Sequence, residues 1–250
     1  MADTTLPAFN LPFMRLLATV ISAREVAVVK DLADVIDVKD PAKGPLGPPT
    51  SQTVAEVKKL AEGQPVSVAL GDAGADIKEK LCLAEEMVFS GADILKISVS
   101  FVSPKDAVAI LKMLRNKVPP SVKIVSAAYS DDKKALITPF DLPDISKRAG
   151  IDGILIDTCY KNGRSVFDSM SVADLGAVME KARGLRLMTA LAGSINISHI
   201  KLAKDIRPDF LGVRSAITKS GNRGEEGLDP VFVQLLKDEI SKIPAGAGSI

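Results

Sequence analysis

Cysteine and histidine are scarce in this 250-residue chain, and each shortage disfavours a class of function. The two cysteines, Cys82 and Cys159, lie far apart without CxxC spacing, which argues against a disulfide framework or a zinc knuckle and suits a reducing compartment. The single histidine, His199, leaves no second imidazole for a multi-histidine metal site, so no metal is expected. We expect His199 to be a helix cap or a surface residue, and acid–base chemistry to fall to lysine, aspartate, glutamate or tyrosine.

The chain also has little excess charge and no long apolar run. Its 32 basic and 31 acidic residues are spread throughout and give a net charge of +1, so no basic surface for nucleic acid is expected. No apolar run reaches the roughly 20 residues that cross a bilayer, and residues 1–7 do not begin a signal peptide. These features predict a cytoplasmic protein that binds small molecules, with no membrane or nucleic-acid partner.

Eight short apolar segments alternate with eight helical patterns, as in a barrel of parallel strands. The segments are apolar on both faces, which is typical of parallel strands covered by helices. We predict a single (βα)8 TIM barrel over residues 14–250, preceded by an N-terminal extension at 1–13; an open sheet stays possible because sequence alone does not show closure. The predicted strands are Arg15–Val20, Asp34–Lys39, Val66–Gly71, Ile94–Val99, Lys123–Tyr129, Gly153–Thr158, Arg186–Ala192 and Phe210–Ser215. The predicted helices are Ala23–Leu32, Thr53–Ala61, Ile77–Ser90, Pro104–Asn116, Leu142–Ala149, Val172–Ala182, Ile197–Lys204 and Asp229–Lys242.

Charged side chains stand at the carboxyl ends of three predicted strands, where barrels place their active sites. Asp37 and Lys39 share one face of the second strand, about 7 Å apart along the backbone. Lys96 lies on the fourth strand and Asp157 on the sixth, with Lys161 four residues further in the following loop. A neighbouring ammonium or an apolar wall lowers the pKa of a lysine, so one amine is expected to be nucleophilic. The alternative is that these groups are ion pairs that close the top of the barrel.

Glycine and serine residues follow the last two predicted strands, a position at which barrels often bind phosphate. The predicted phosphate-binding residues are Gly193 and Ser194 after the seventh strand, and Arg214, Ser215, Gly221, Asn222 and Arg223 after the eighth. The alternative is that these residues only form turns. Tyr129 and Asp72 also fall at the mouth, where a buried tyrosine with a satisfied hydroxyl and a capping aspartate are the simpler interpretations.

Together, five segments resemble the (5-formylfuran-3-yl)methyl phosphate synthase family of methanofuran biosynthesis. They occur in the family's order and run from about Met14 to the last helix. The segments are Asp37–Gly47, Gly91–Lys96, Ile156–Thr158 with Lys161–Gly163, Leu191–Ile195 and Gly212–Arg214.

The resemblance implies a barrel that condenses two molecules of glyceraldehyde 3-phosphate into 4-(hydroxymethyl)-2-furancarboxaldehyde phosphate, releasing phosphate and water without a metal or organic cofactor. It further implies that Lys39 is the Schiff-base lysine and Lys96 the proton acceptor, while Asp37, Asp157 and Lys161 match the family's other polar pocket positions. A homo-oligomer is also expected. Two alternatives stay open: a Schiff-base aldolase acting on another sugar phosphate, and a non-catalytic barrel that binds a phosphorylated metabolite.

Overall fold

Eight parallel strands close into a barrel in chain order, each strand pairing with the next and β8 with β1. The computed structural model describes residues 14–74, 76–225 and 227–242; the predicted extension at 1–13 lies outside them. The strands are β1 Arg15–Val20, β2 Val35–Val38, β3 Val66–Asp72, β4 Ile94–Ser98, β5 Lys123–Tyr129, β6 Gly153–Asp157, β7 Met188–Leu191 and β8 Phe210–Val213. The predicted (βα)8 barrel is therefore confirmed, and the open sheet is excluded.

Helices surround the barrel and begin where side chains satisfy their free N–H groups. Thr50, Asp76, Ser103 and Ser171 each accept a hydrogen bond from the backbone N–H three residues further along, which ends the preceding loop and starts a helix. The helices are α1 Val26–Val29, α2 Ser51–Leu60, α3 Ile77–Phe89, α4 Pro104–Lys117, α5 Leu142–Ala149, α6 Val166–Ser169, α7 Val172–Gly184, α8 Ile200–Ile206 and α9 Pro230–Ser241. Among the described residues, none of these helices has the length and apolarity needed to span a membrane.

Two apolar layers build the core and leave one end of the barrel polar. The larger layer lies between the strands and the helices, and a smaller cluster that includes Ile94, Leu155 and Phe210 fills the interior. The Arg15 guanidinium lies 4.0 Å from the centre of the Phe210 ring at the amino end of the strands. Because the amino end is filled in this way, the accessible pocket opens at the carboxyl end.

Several element boundaries differ from the prediction because loops bend in toward the mouth. The helix predicted over Ala23–Leu32 is a 3₁₀ turn at Ala23–Glu25 followed by the short α1, since the Glu25 carboxylate accepts from the backbone N–H of Ile21 and folds the segment back. Strands β2 and β8 end at Val38 and Val213, so Lys39 and Arg214 stand in loops just beyond them.

The expected capping role of His199 is confirmed. It lies in a 3₁₀ turn that precedes α8, and its Nδ1 accepts a 3.3 Å hydrogen bond from the backbone N–H of Asn196. Its ring also lies 5.3 Å from the ring of Phe167. The imidazole is thereby used to end one loop and start a helix.

Candidate active site

A pocket at the carboxyl ends of the strands is lined by all five of the predicted catalytic side chains. Parallel strands that close into a barrel point alternate side chains inward, so residues distant in sequence meet at this mouth. The five are Asp37, Lys39, Lys96, Asp157 and Lys161. Their placement satisfies the geometric condition for joint chemistry, while their individual roles stay predictions.

Asp37 on β2 and Lys96 on β4 form a buried ion pair inside the mouth of the barrel. The ammonium of Lys96 contacts Oδ1 of Asp37, and both side chains are almost fully buried. The hydroxyl of Thr19, on β1, donates a 2.9 Å hydrogen bond to Oδ2 of the same carboxylate. Asp37 is therefore held from both sides, and Lys96 has a carboxylate with which it can exchange a proton.

Asp157 and Lys161 form a second pair at the end of β6. The Lys161 ammonium donates a 3.0 Å hydrogen bond to Asp157 Oδ1 and also binds the carbonyl and hydroxyl oxygens of Thr158. Burial by itself would raise the pKa of Asp157, but Lys161 and Lys39 more than offset it, and the pKa falls to about 2. The Asp157 carboxylate is consequently ionised throughout the physiological pH range.

Lys39 differs from the other two pocket lysines because its ammonium has no hydrogen-bond or ion-pair partner among the described residues. Its side chain is 8% exposed. Burial lowers the pKa of Lys39 from 10.5 to about 7; Asp157 and Asp37 act against this shift, whereas Lys96 and Arg223 add to it. A buried amine that is half neutral at physiological pH is a competent nucleophile.

Gly193 and Ser194 form a tight turn between β7 and the next helical turn. Gly193 has φ +107°, and a Cβ at this position would lie 2.9 Å from Cγ2 of Thr158, so only glycine fits here. Ser194 follows with φ +50°, and the carbonyl of Gly193 accepts from the backbone N–H of Val166. The turn thus carries Ser194 to the pocket wall.

The predicted phosphate-binding residues do not all lie in the same place. Gly193, Ser194, Arg214, Ser215 and Arg223 line the central pocket. Gly221 and Asn222 instead line a recess further out, which we call the β8-side recess; it is bounded by Ser194, Asn196, Ser215, Ala216, Gly221 and Asn222. A second hollow, the β2-side recess, is bounded by Ile21, Asp40, Pro41, Ala42, Gly44, Pro45, Cys159, Asn222 and Gly224. Lys161, Asn222 and Arg223 line both recesses.

Arg214 and Arg223 present their guanidinium groups differently. Arg214 is almost fully buried, and its guanidinium forms a 2.6 Å ion pair with Glu25. Arg223 is half-buried, and the hydrogen bonds of its guanidinium to the described residues are long ones, 3.4 and 3.5 Å, to the carbonyl oxygens of Gly44 and Pro45. Arg223 is therefore the better placed of the two to receive an anion directly.

Sequence reasoning missed Thr19 and Glu25. Thr19 could have been found, because it is a polar residue on the inward face of an otherwise apolar strand end. Glu25 carried no such signal, since nothing local predicts that its carboxylate is buried against Arg214, just beyond β8. Tyr129 behaves as the simpler interpretation expected: its buried hydroxyl donates a 2.8 Å hydrogen bond to Asp72.

The closed barrel and its charged mouth define the chain as a (βα)8-barrel enzyme. A family model described as 4-HFC-P synthase matches residues 16–237. A relative from Archaeoglobus fulgidus, named (5-formylfuran-3-yl)methyl phosphate synthase, is 32% identical over 234 residues, covering 90% of this chain and 98% of the relative. A Methanocaldococcus jannaschii relative of the same name is 32% identical over 215 residues, covering 82% of this chain and 90% of its own. The chain therefore belongs to the 4-HFC-P synthase family of methanofuran biosynthesis.

Solved structures confirm the barrel fold. A 3-hexulose-6-phosphate synthase superposes with a TM-score of 0.62 at 15% identity, covering 91% of this chain and all of that one. A deoxyribose phosphate aldolase from Aeropyrum pernix, described as a tetramer, gives a TM-score of 0.60 at 18% identity and covers 81% of this chain and 86% of that one. At such low identity these likenesses establish the fold alone.

Proposed function

We propose that this enzyme condenses two molecules of glyceraldehyde 3-phosphate into (5-formylfuran-3-yl)methyl phosphate through a Schiff base on Lys39. Loss of one inorganic phosphate and two water molecules balances the atoms. The observation that carries the proposal is the state of Lys39: it is buried, has a pKa of about 7 and, among the described residues, has no ion-pair partner such as Lys96 and Lys161 each have. Membership of the family supports the product.

The first half of the reaction removes phosphate from one triose. The neutral amine of Lys39 attacks the aldehyde carbon and water leaves, which gives a protonated imine. The imine acidifies the C2–H bond, and that proton goes to an adjacent carboxylate, or to Lys96 once Lys96 has passed its own proton to Asp37. The electron pair left at C2 expels the phosphate from C3, and C3 of the resulting enol becomes the carbon nucleophile.

The substitution pattern of the product determines which carbon of the second triose is attacked. The formyl carbon, the ring carbon that bears it and the adjacent CH of the ring derive from the first triose. The ring carbon that bears the phosphorylated hydroxymethyl branch is therefore C2 of the second triose. This C2 is electrophilic only in the ketone isomer, so a proton must first move from C2 to C1 of the second triose. Lys96, paired with Asp37, lies in the pocket in which that transfer would occur.

Two phosphorylated substrates need two anion sites, and the two recesses offer separate positions for them. We assign one phosphate to the β8-side recess, where Ser194 and the backbone around Gly221 would meet it. The other phosphate is assigned to the β2-side recess. Lys161 and Arg223, which line both, supply positive charge to each and place the two reacting carbon chains in the central pocket between them.

The direct test of the proposal is to incubate the pure protein with glyceraldehyde 3-phosphate alone. A furan absorbance should appear, with one phosphate released for every two trioses consumed. A Schiff-base aldolase would instead give a hydroxy-carbonyl product without phosphate release. A barrel that only binds the substrate would give no product and no adduct reducible by borohydride.

The reaction should depend on pH through the amine of Lys39. Because the pKa of Lys39 is lowered to about 7, the neutral nucleophile predominates above pH 7, so the rate of borohydride-dependent trapping should rise with pH around a midpoint near 7. Asp157 raises this pKa, so Asp157→Asn should move the midpoint to lower pH. The measurement is the trapping rate across a pH series. A wild-type midpoint near 10.5, the ordinary value, would contradict the burial of Lys39.

Phosphate recognition is expected to depend more on Arg223 than on Ser194. Losing a hydrogen bond to a charged group costs about 1.5–3 kcal/mol, so Arg223→Ala should raise KM about 10- to 100-fold, and Ser194→Ala less, with smaller losses in kcat. Arg223 also lowers the pKa of Lys39, so the kinetics should be measured well above pH 7. Arg164→Ala, which removes an exposed guanidinium beyond β6, is the matched control. An unchanged KM for Arg223→Ala would place phosphate binding elsewhere.

We further propose that the enzyme works in the cytoplasm as a homo-oligomer. The two free cysteines suit a reducing compartment. Val231, Phe232 and Leu235 expose a row of apolar side chains on α9, and such a surface favours burial against a second copy. Light scattering of the purified protein tests the oligomer, and a monomeric mass would contradict it.

A further inference from the structure

A buried ion pair joins the loop after β1 to the residue that follows β8. The Glu25 and Arg214 side chains are 2% and 4% exposed, and Oε2 of Glu25 lies 2.6 Å from Nη1 of Arg214. Among the described residues, neither group forms an ion pair with Lys96 or Lys161, whose partners are Asp37 and Asp157. A buried ion pair is costly to desolvate, so its retention beside the pocket calls for a specific use.

Arg214 uses most of its guanidinium to hold backbone. Its Nη1 also donates to the carbonyl of Thr19, Nε donates 3.0 Å to the carbonyl of Arg223, and Nη2 donates 2.6 Å to the carbonyl of Glu225. With the bond to Glu25, four of the five guanidinium N–H groups have acceptors. The planar fork that would bind a phosphate bidentately is thus already occupied.

Glu25 holds the same loop at a further point. Its Oε1 accepts a 2.9 Å hydrogen bond from the backbone N–H of Gly227, and its Oε2 accepts from the backbone N–H of Ile21. Together the two side chains fix the loop at residues 223, 225 and 227. The side chain of Arg223 leaves the loop at the first of these points and lines the pocket and both recesses.

We propose that Glu25 and Arg214 are positioning residues, which clamp the loop after β8 at residues 223, 225 and 227 so that Arg223 can bind a substrate phosphate. The ligand is a phosphate monoester such as a triose phosphate. Only the identity of this ligand rests on the proposed function. Arg214 acts here through Arg223 and does not itself receive the phosphate. Because the ion pair holds the loop in place, the phosphate site is formed before the substrate arrives.

The substitution Glu25→Gln separates the two roles open to Arg214. The amide keeps the shape of the carboxylate but removes its charge and the second acceptor oxygen, so the loop should loosen. Affinity for inorganic phosphate, measured by calorimetry, should then fall about tenfold, and KM should rise by a similar factor with kcat little changed. If Arg214 received the phosphate directly, the loss of its competing carboxylate would leave affinity equal or higher.

Tryptic cleavage of the native enzyme reports on the loop independently of catalysis. Lys219 and Arg223 are the cleavage sites within it, and Glu25→Gln should make them faster to cut, with protection restored by phosphate. Arg214→Lys keeps the charge but not the fork, and should give the same loss of phosphate affinity and the same faster cleavage. Glu85→Gln, which breaks an exposed 2.9 Å pair with Lys117, is the matched control and should behave as wild type.

The proposal is overturned if Glu25→Gln binds phosphate as tightly as wild type, or if its loop is cut no faster. Should Glu25→Gln fail to fold, Glu25→Asp keeps the charge with a shorter reach, and the same two readings apply: weaker phosphate binding and faster cleavage are expected, and wild-type values would refute it. Phosphate affinity and cleavage do not require turnover. The clamp can therefore be confirmed even if no furan is formed, and a furan-forming enzyme can still refute it.

Discussion

Replacing Lys39 with arginine should reduce furan formation by about 10⁴-fold or more, although the positive charge is kept. A guanidinium is protonated throughout the accessible pH range and does not form an imine with an aldehyde. Borohydride reduction in the presence of glyceraldehyde 3-phosphate should attach a triose to the wild-type enzyme and none to the variant. Mass spectrometry of the digested protein should place the adduct on the peptide that contains Lys39.

The control for this experiment is Lys43→Arg, which makes the same change at a lysine close by in sequence. Lys43 is half exposed and forms a 3.4 Å pair with Asp40 on the 3₁₀ turn Pro41–Lys43. Its variant should keep full activity and full labelling. An adduct found only on Lys96 or Lys161 would overturn the assignment of Lys39 as the nucleophile.

Replacing Lys96 with alanine should lower turnover by about 10²- to 10⁴-fold while the imine still forms. A positioned general base typically contributes that much, and its loss leaves the amine of Lys39 in place. Borohydride should therefore still trap a triose on Lys39. Steady-state rates and the yield of trapped protein, measured side by side, separate proton transfer from imine formation.

Two side effects of Lys96→Ala need their own controls. Lys96 lowers the pKa of Lys39, so its removal raises that pKa and slows trapping near pH 7; the assay should be repeated at higher pH, where the amine is again neutral. The variant also leaves Asp37 buried without its cation, a loss of about 3–5 kcal/mol in similar pairs, so thermal unfolding should be compared with wild type. If the folded variant traps nothing at any pH while Lys39→Ala still does, the two roles are reversed.

Much of the barrel could be predicted because the sequence patterns that specify its strands and helix starts are local. Parallel strands covered on both faces read as apolar runs such as Ile94–Ser98, and the turns between them carry helix caps such as Ser103. The five predicted catalytic side chains could also be found, because charge at the end of an apolar strand is rare and alternation determines which residues point inward. Boundaries were less accurate where loops bend into the mouth, as at the 3₁₀ turn Ala23–Glu25.

The sequence by itself determined the eight strand–helix units, the inward set of lysines and aspartates, and the glycine that β7 needs at its end. Only the tertiary structure decided how those charges pair. Lys96 on β4 pairs with Asp37 on β2, with β3 between them, because the barrel points both side chains into its mouth, a proximity that no local pattern encodes. The same holds for Arg214, whose partner Glu25 is 189 residues away in the chain. Within the part of the chain that the structure describes, Lys39 forms no such pair. The ion-pair partner and the burial of each basic side chain determine its pKa and which of its N–H groups are free to donate. The folded chain therefore decides which of several like residues takes which role.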